Sequence, residues 1–185
     1  MPILPTILRR QIVAKSELFT VEQLDLRFSN GNLRTFEKLI NKEKGVSNAV
    51  MIVAINAQNQ VILIEEYSAG TEDYQLTLPK GLIEKGEDIL AAANRELQEE
   101  AGFKAHKLKY LTNLSLSPGY MEQFIHVVLA QDLEPSKLAG DEPEPLTVFT
   151  HDLADLMGLI NNKKFSEARA LAALFMAREI LLKDK

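Results

Sequence analysis

From Gly81 to Phe103 the chain reads GLIEKGEDILAAANRELQEEAGF. Ile89, Ala93 and Leu97 recur every fourth position, flanked by Leu90 and Ala101, which makes one apolar face of an amphipathic helix. Glu87 and Asp88 suit the positive end of a helix dipole, and Gly102 suits the residue just past its end. The spacing predicts a helix over 88–101, preceded by a loop over 81–86. On that helix Glu96 and Glu100 are four apart, and Glu99 lies beside both. Like charges at this spacing repel by roughly 0.2–0.5 kcal/mol per pair. A Glu-Glu pair on a helix is ordinarily solvated surface. This cluster, however, comes with Gly81, Glu87, Arg95 and Gly102 at fixed intervals. Hard divalent cations take oxygen ligands, and Mg²⁺ prefers a few carboxylates together with water and substrate phosphate. The glutamates supply what such an ion needs.

The intervals are Gly81, five residues, Glu87, seven residues, Arg95-Glu96-Leu97, one residue, Glu99-Glu100, one residue, then Gly102-Phe103. They match the Nudix box, G-x5-E-x7-R-E-U-x-E-E-x-G-U with U a bulky apolar residue, and the chain resembles the Nudix hydrolases. The resemblance implies an α+β fold, the Nudix α/β/α sandwich, here with a small N-terminal antiparallel β-sheet. It implies that Glu96, Glu99 and Glu100 hold Mg²⁺ or Mn²⁺, with Glu99 also counted among the catalytic groups. By similarity to the ADP-ribose pyrophosphatases of that family, the carbonyl of Lys80 is a further ligand. Glu87 and Arg95 are implied to be an ion pair that shapes the loop and helix.

The 185 residues suffice for one domain, or one with a small appendage. There is no cysteine, so disulfides and thiolate zinc sites are excluded. No apolar run approaches the roughly 18 residues a membrane span needs. MPILPTILRR lacks the long apolar core and cleavage site of a signal peptide, so the expected location is cytoplasmic and no membrane partner is expected. A net charge of −5 argues against nucleic acid, whose binding is driven by Lys and Arg. An anionic small substrate is compatible with that charge where a metal ion neutralises it.

The chain divides into residues 1–44 and 45–185. Residues 1–10 read as irregular. Gln11 to Lys15, Leu18 to Phe28 and Leu33 to Ile40 read as strands, with a turn at Ser29-Asn30-Gly31. Three strands cannot bury a core alone. In the ADP-ribose pyrophosphatases that the chain resembles, such a sheet forms much of a homodimer interface and lends residues to an adenosine pocket. Residues 41–45 read as a polar linker. NAVMIVAIN and QVILIEEY read as buried strands. Further strands are expected over Tyr74–Leu78, Lys107–Leu114, Phe124–Asp132 and Leu146–Thr150, and helices over Asp152–Ile160 and Ser166–Leu182. Ala170, Leu174, Ala177 and Leu181 form the inward face of the last helix.

The acidic, proline-punctuated segment Leu138–Pro145 reads as a loop. A carboxylate on a loop that closes over the site would act as general base. Resemblance to the ADP-ribose pyrophosphatases implies a loop glutamate after the box: Glu142 first, Glu144 second. Pro118 lies sixteen residues beyond Gly102, as in the ADP-ribose subgroup, and Tyr120 resembles a tyrosine of diadenosine polyphosphate hydrolases. Both also fit a Ser-Pro-Gly turn. Leu18, Phe19 and Phe36 are apolar candidates for an adenine site, and Arg34 is a cation for phosphate or stacking. The arginine that many ADP-ribose pyrophosphatases carry after the strand preceding the box is absent from Glu65–Ser68. His106, His126 and His151 lack ligand spacing. The resemblance implies a metal-dependent pyrophosphatase acting on ADP-ribose, NADH and diadenosine polyphosphates, giving AMP and the complementary phosphate. Its rivals are a pyrophosphatase of nucleoside triphosphates or other sugar nucleotides, and a nucleotide-binding module without turnover.

Overall fold

The computed structural model describes residues 2–40 and 49–183. The linker expected at 41–45 lies outside them. The chain forms two compact units: the described residues of Met1–Ser47 with Ser115–Phe124, and those of Asn48–Leu114 with Ile125–Lys185.

The first unit is an antiparallel meander of β1 (Thr6–Lys15), β2 (Thr20–Arg27) and β3 (Leu33–Ile40). Strand β1 starts at Thr6, five residues before the Gln11 expected from the sequence. Its pairing with β2 shifts register between Ile7 and Arg9 and again between Ile12 and Ala14. Each bulge breaks the alternation by which a strand is recognised. Leu18 and Phe19, expected on a strand, instead lie in a tight connection in which the Ser16 amide donates to the Phe19 carbonyl at 2.8 Å. The Ser29–Gly31 turn forms as expected, with Gly31 at φ 85°. Residues 115–124 dock on β3 through Leu39 N–H to the Tyr120 carbonyl, 2.7 Å, and Glu122 N–H to the Leu39 carbonyl, 3.0 Å. Pro118 and Tyr120 sit in that turn.

The second unit holds two sheets. One has the order β7-β4-β9-β8, built from β4 (Ala49–Ala54), β7 (Lys80–Leu82), β8 (Phe103–Ser115) and β9 (Phe124–Pro135). The other has the order β10-β5-β6, from β5 (Gln60–Ser68), β6 (Asp73–Thr77) and β10 (Thr147–Asp152). Strand β4 runs parallel to β9 and is covered on both faces. Met51 and Val53 enter a core with Ala170, Ala173, Leu174 and Ala177 of α3 (Ala168–Lys183). Val50, Ile52 and Ala54 enter a second core with Ala92 and Ala93 of α1 (Ile89–Glu96) and with Leu97. Because strand side chains alternate, one strand feeds both layers. This is the α/β/α sandwich expected from the sequence.

The helix expected over Asp152–Ile160 is shorter. His151 and Asp152 pair with β5, and Asp155 caps α2 (Leu156–Ile160) by accepting the Gly158 amide at 2.9 Å. Among the described residues no helix is long and apolar enough to cross a membrane.

Candidate active site

Asp88 caps α1 by accepting the amides of Leu90 and Ala91 at 2.9 and 3.2 Å. The helical run reaches Ala101 as expected, but its last segment, Leu97–Ala101, is a π-helical turn. Such turns are rare and concentrate at functional sites. Gly102 ends it in the left-handed region, φ 75°. The wide turn carries Glu99 and Glu100. Asn94 locks the helix to β8, donating to the Ala105 carbonyl at 3.0 Å and accepting its amide at 2.8 Å.

Arg95 is the hub. It grips Glu87 through Nε and Nη2, both at 2.9 Å, and donates to the Leu82 carbonyl at 2.8 Å. Its Nη1 binds Glu96 at 2.8 Å and Glu99 at 2.9 Å. One guanidinium therefore ties the loop before the helix to two glutamates, as the planar five-donor fork allows. The guanidinium holds the Glu87 carboxyl below the usual carboxylate range. The stabilisation from that pair is present above the unfolded carboxylate value and is lost as pH falls through the folded one.

Glu96 and Glu100 are buried, at 8% and 4% exposure. Burial raises the Glu96 carboxyl above its ordinary value. Burial also pushes Glu100 up to about 8, although its carboxylate accepts the Lys80 amide at 2.8 Å. A carboxylate taken out of water without a cation is costly. The Lys80 ammonium pairs with Glu66. Glu142 lies in the same acidic field: burial raises its carboxyl first, and then the charges of Glu66 and Asp141. Glu144 instead accepts the Tyr74 hydroxyl at 2.5 Å.

The glutamates expected to hold metal thus feel one another's charge, but Glu96 and Glu99 turn toward Arg95 and Glu100 toward Lys80. Among the described residues no three acidic or histidine side chains close on one point. The donor set nonetheless fits a hard dication. It is all oxygen, two of its carboxylates are buried against their charge, and Gly81 leaves no room for a Cβ, which would overlap the Glu96 carboxylate.

The adenine candidates belong to the first unit. Leu18 is 74% exposed, Phe19 and Tyr120 are also exposed, and Phe36 packs on Phe28 with ring centroids 6.4 Å apart. Arg34 lines an open depression with Leu8, Asp25, Leu26, Leu33 and Thr35. Three residues escaped sequence reasoning. Glu66 holds Lys80, Tyr74 holds Glu144, and Lys137 donates to the Glu99 carbonyl at 2.5 Å. The available signal was weak: two adjacent glutamates ending an apolar strand run in IEEY.

A glutamate-bearing helix locked by an arginine hub inside an α/β/α sandwich defines the Nudix class, and the chain belongs to the Nudix hydrolase family. The model of the NUDIX domain matches residues 46–174, and that of the NudE-type Nudix hydrolase N-terminal domain matches residues 5–38. The chain is 50% identical to the ADP compounds hydrolase NudE of Escherichia coli (strain K12), across 96% of this chain and 93% of that protein. It is 29% identical to an ADP-ribose pyrophosphatase of Bacillus subtilis (strain 168), across 90% and 91% of the two. A crystal structure of an ADP compounds hydrolase superposes with a TM-score of 0.91 at 47% identity, covering all of this chain and 97% of that one.

Proposed function

We propose that this chain is a pyrophosphatase of ADP-containing compounds, cleaving the diphosphate of ADP-ribose, NADH and diadenosine polyphosphates. What carries the reading is the near-full-length similarity to an ADP compounds hydrolase, joined to the buried glutamates of the helix and its π-helical turn. Water adds to one phosphorus, the bridging oxygen leaves with the other, and AMP and the complementary phosphate result: ribose 5-phosphate from ADP-ribose, the remaining adenosine phosphate from a diadenosine polyphosphate. Glu96, Glu99, Glu100 and the Lys80 carbonyl would hold Mg²⁺ or Mn²⁺, which supplies charge neutralisation for the diphosphate and acidifies bound water. Arg95 keeps Glu96 and Glu99 oriented. Glu142 takes the proton of the attacking water, and burial, which raises its affinity for protons, makes it a stronger base for that role.

The first unit is read as the dimerising and adenosine-binding part. Exposed Ile7, Leu8, Ile12 and Val13 on β1 support a homodimer, since an apolar strand left open seeks a partner. Arg34, Phe36, Leu18, Phe19, Pro118 and Tyr120 are its proposed substrate contacts. A cytoplasmic location belongs to the same reading.

The test is a panel of ADP-ribose, NADH, diadenosine polyphosphates and nucleoside triphosphates with Mg²⁺ or Mn²⁺, with and without chelator, products separated by chromatography. AMP from the first three, only with metal, is the expected result. Pyrophosphate from triphosphates alone would replace this reading with the triphosphate one. In the same assay Glu142→Gln is expected to lower kcat about 100-fold while leaving the Mg²⁺ activation curve in place. Unchanged turnover moves the base elsewhere.

A further inference from the structure

The loop that carries Glu142 is tied down at both ends. At its start, Ser136 N–H donates to the Gly102 carbonyl at 2.9 Å and its hydroxyl to Gln98 Oε1 at 2.9 Å. Leu138 N–H donates to the Gln98 carbonyl at 3.3 Å, and the Lys137 ammonium reaches the Glu99 carbonyl at 2.5 Å. This end is therefore fastened to the π-helical turn that bears Glu99 and Glu100. At the far end, the Tyr74 hydroxyl donates to Glu144 Oε1 at 2.5 Å.

Tyr74 lies at the protein surface, 40% exposed. It stands on β6 opposite Tyr67 of β5, and the two rings meet edge to face with centroids 5.7 Å apart. A bond from a neutral hydroxyl to a carboxylate is of the stronger, charge-assisted kind. Residues 139–143 span the gap between the two anchors, and Pro143 and Pro145 restrict the backbone on either side of Glu144. Glu142 falls inside this short span, within the field of Glu66.

We propose that Tyr74 is a positioning residue for the reaction: by binding Glu144 it fixes the far end of the 138–145 loop, so that Glu142 is held where the water's proton is taken and Glu144 serves as anchor rather than base. The inference rests on the reading of Glu142 given above. Misplacing a reacting group by about 1 Å costs up to about 100-fold in rate, and a loop freed at one end loses part of that.

The experiment compares steady-state kinetics on ADP-ribose with Mg²⁺ for Tyr74→Phe, Glu144→Ala, Glu144→Gln, Glu142→Gln and the Tyr74→Phe/Glu144→Ala pair. Tyr74→Phe and Glu144→Ala are each expected to lower kcat about tenfold, with KM and Mg²⁺ activation unmoved. The double variant should be no slower than either single one, because both remove the same bond. Glu144→Gln keeps an acceptor oxygen for the phenol and should stay within about threefold of the parent. Two results overturn the proposal: Tyr74→Phe at the parent kcat while Glu142→Gln is impaired, or Glu144→Gln as slow as Glu142→Gln. Glu142→Gln at the parent rate would strike the base assignment itself, and this inference with it.

Discussion

Glu100→Gln is expected to lower kcat by at least about 10³-fold and, without metal, to make the fold more stable at alkaline pH. Both effects have one origin. Glu100 is 4% exposed, and its carboxylate accepts the Lys80 amide at 2.8 Å, a donor that an amide oxygen also satisfies. The substitution therefore removes charge with little change of shape. The folded carboxyl is pushed up to about 8 by burial, far above an unfolded glutamate near 4.3. With a raised folded value, the stabilising contribution is complete below the unfolded value and is lost as pH rises through the folded one. The parent protein should lose stability between about pH 4.3 and pH 8, and the Gln variant should not. Thermal melts in chelator at pH 5 and pH 9 test this, and the parent's deficit should be small at pH 5 and large at pH 9. Mg²⁺ at pH 9 should restore the parent's Tm and leave the variant's nearly unmoved. Parental turnover in the Glu100→Gln variant would falsify the assignment of Glu100 to the metal.

The parts of this molecule legible in its sequence are those encoded locally. Val50 to Ala54 are apolar without a break, and a strand covered on both faces is what they form. The 3.6-residue stripe of Ile89, Ala93 and Leu97 and the stop at Gly102 place the box helix. Its π-helical ending is not legible, because one extra residue in a turn hardly disturbs a pattern read over two turns. The start of β1 is hidden by two bulges. The end of β10 is hidden by Asp152 and Asp155, which read as helix and act as ladder residue and cap. Within the site, the glutamate cluster follows from helical spacing, and the Arg95–Glu87 pair, eight residues apart, is what the family resemblance implies. Lys80–Glu66 spans 14 residues and Tyr74–Glu144 spans 70. Pairs of that range depend on how sheets stack, which no local pattern states.

Gly81→Ala carries the second large effect, about 10³-fold in kcat with about 1–3 kcal/mol of lost stability. The reason is steric rather than conformational, since the glycines in the left-handed region are Gly31, Gly86 and Gly102. A Cβ on Gly81 would overlap the Cδ and both carboxylate oxygens of Glu96. A flexible side chain would ordinarily swing away. Glu96 is buried, however, and its carboxylate is held by Arg95 Nη1 at 2.8 Å, while Arg95 is itself locked on Glu87. The alternative is to move β7, whose Gly81 pairs with Val50 of the buried β4. Either adjustment pulls a glutamate or the Lys80 carbonyl out of the proposed ligand set. The clash and the ligand loss can be separated by a cycle with Glu96→Ala. If the methyl group acts through Glu96, Gly81→Ala should cost almost nothing further in that background, in kcat or in Tm. Additive losses would show that the glycine is needed by the strand pairing instead, and that the Glu96 carboxylate has room to spare.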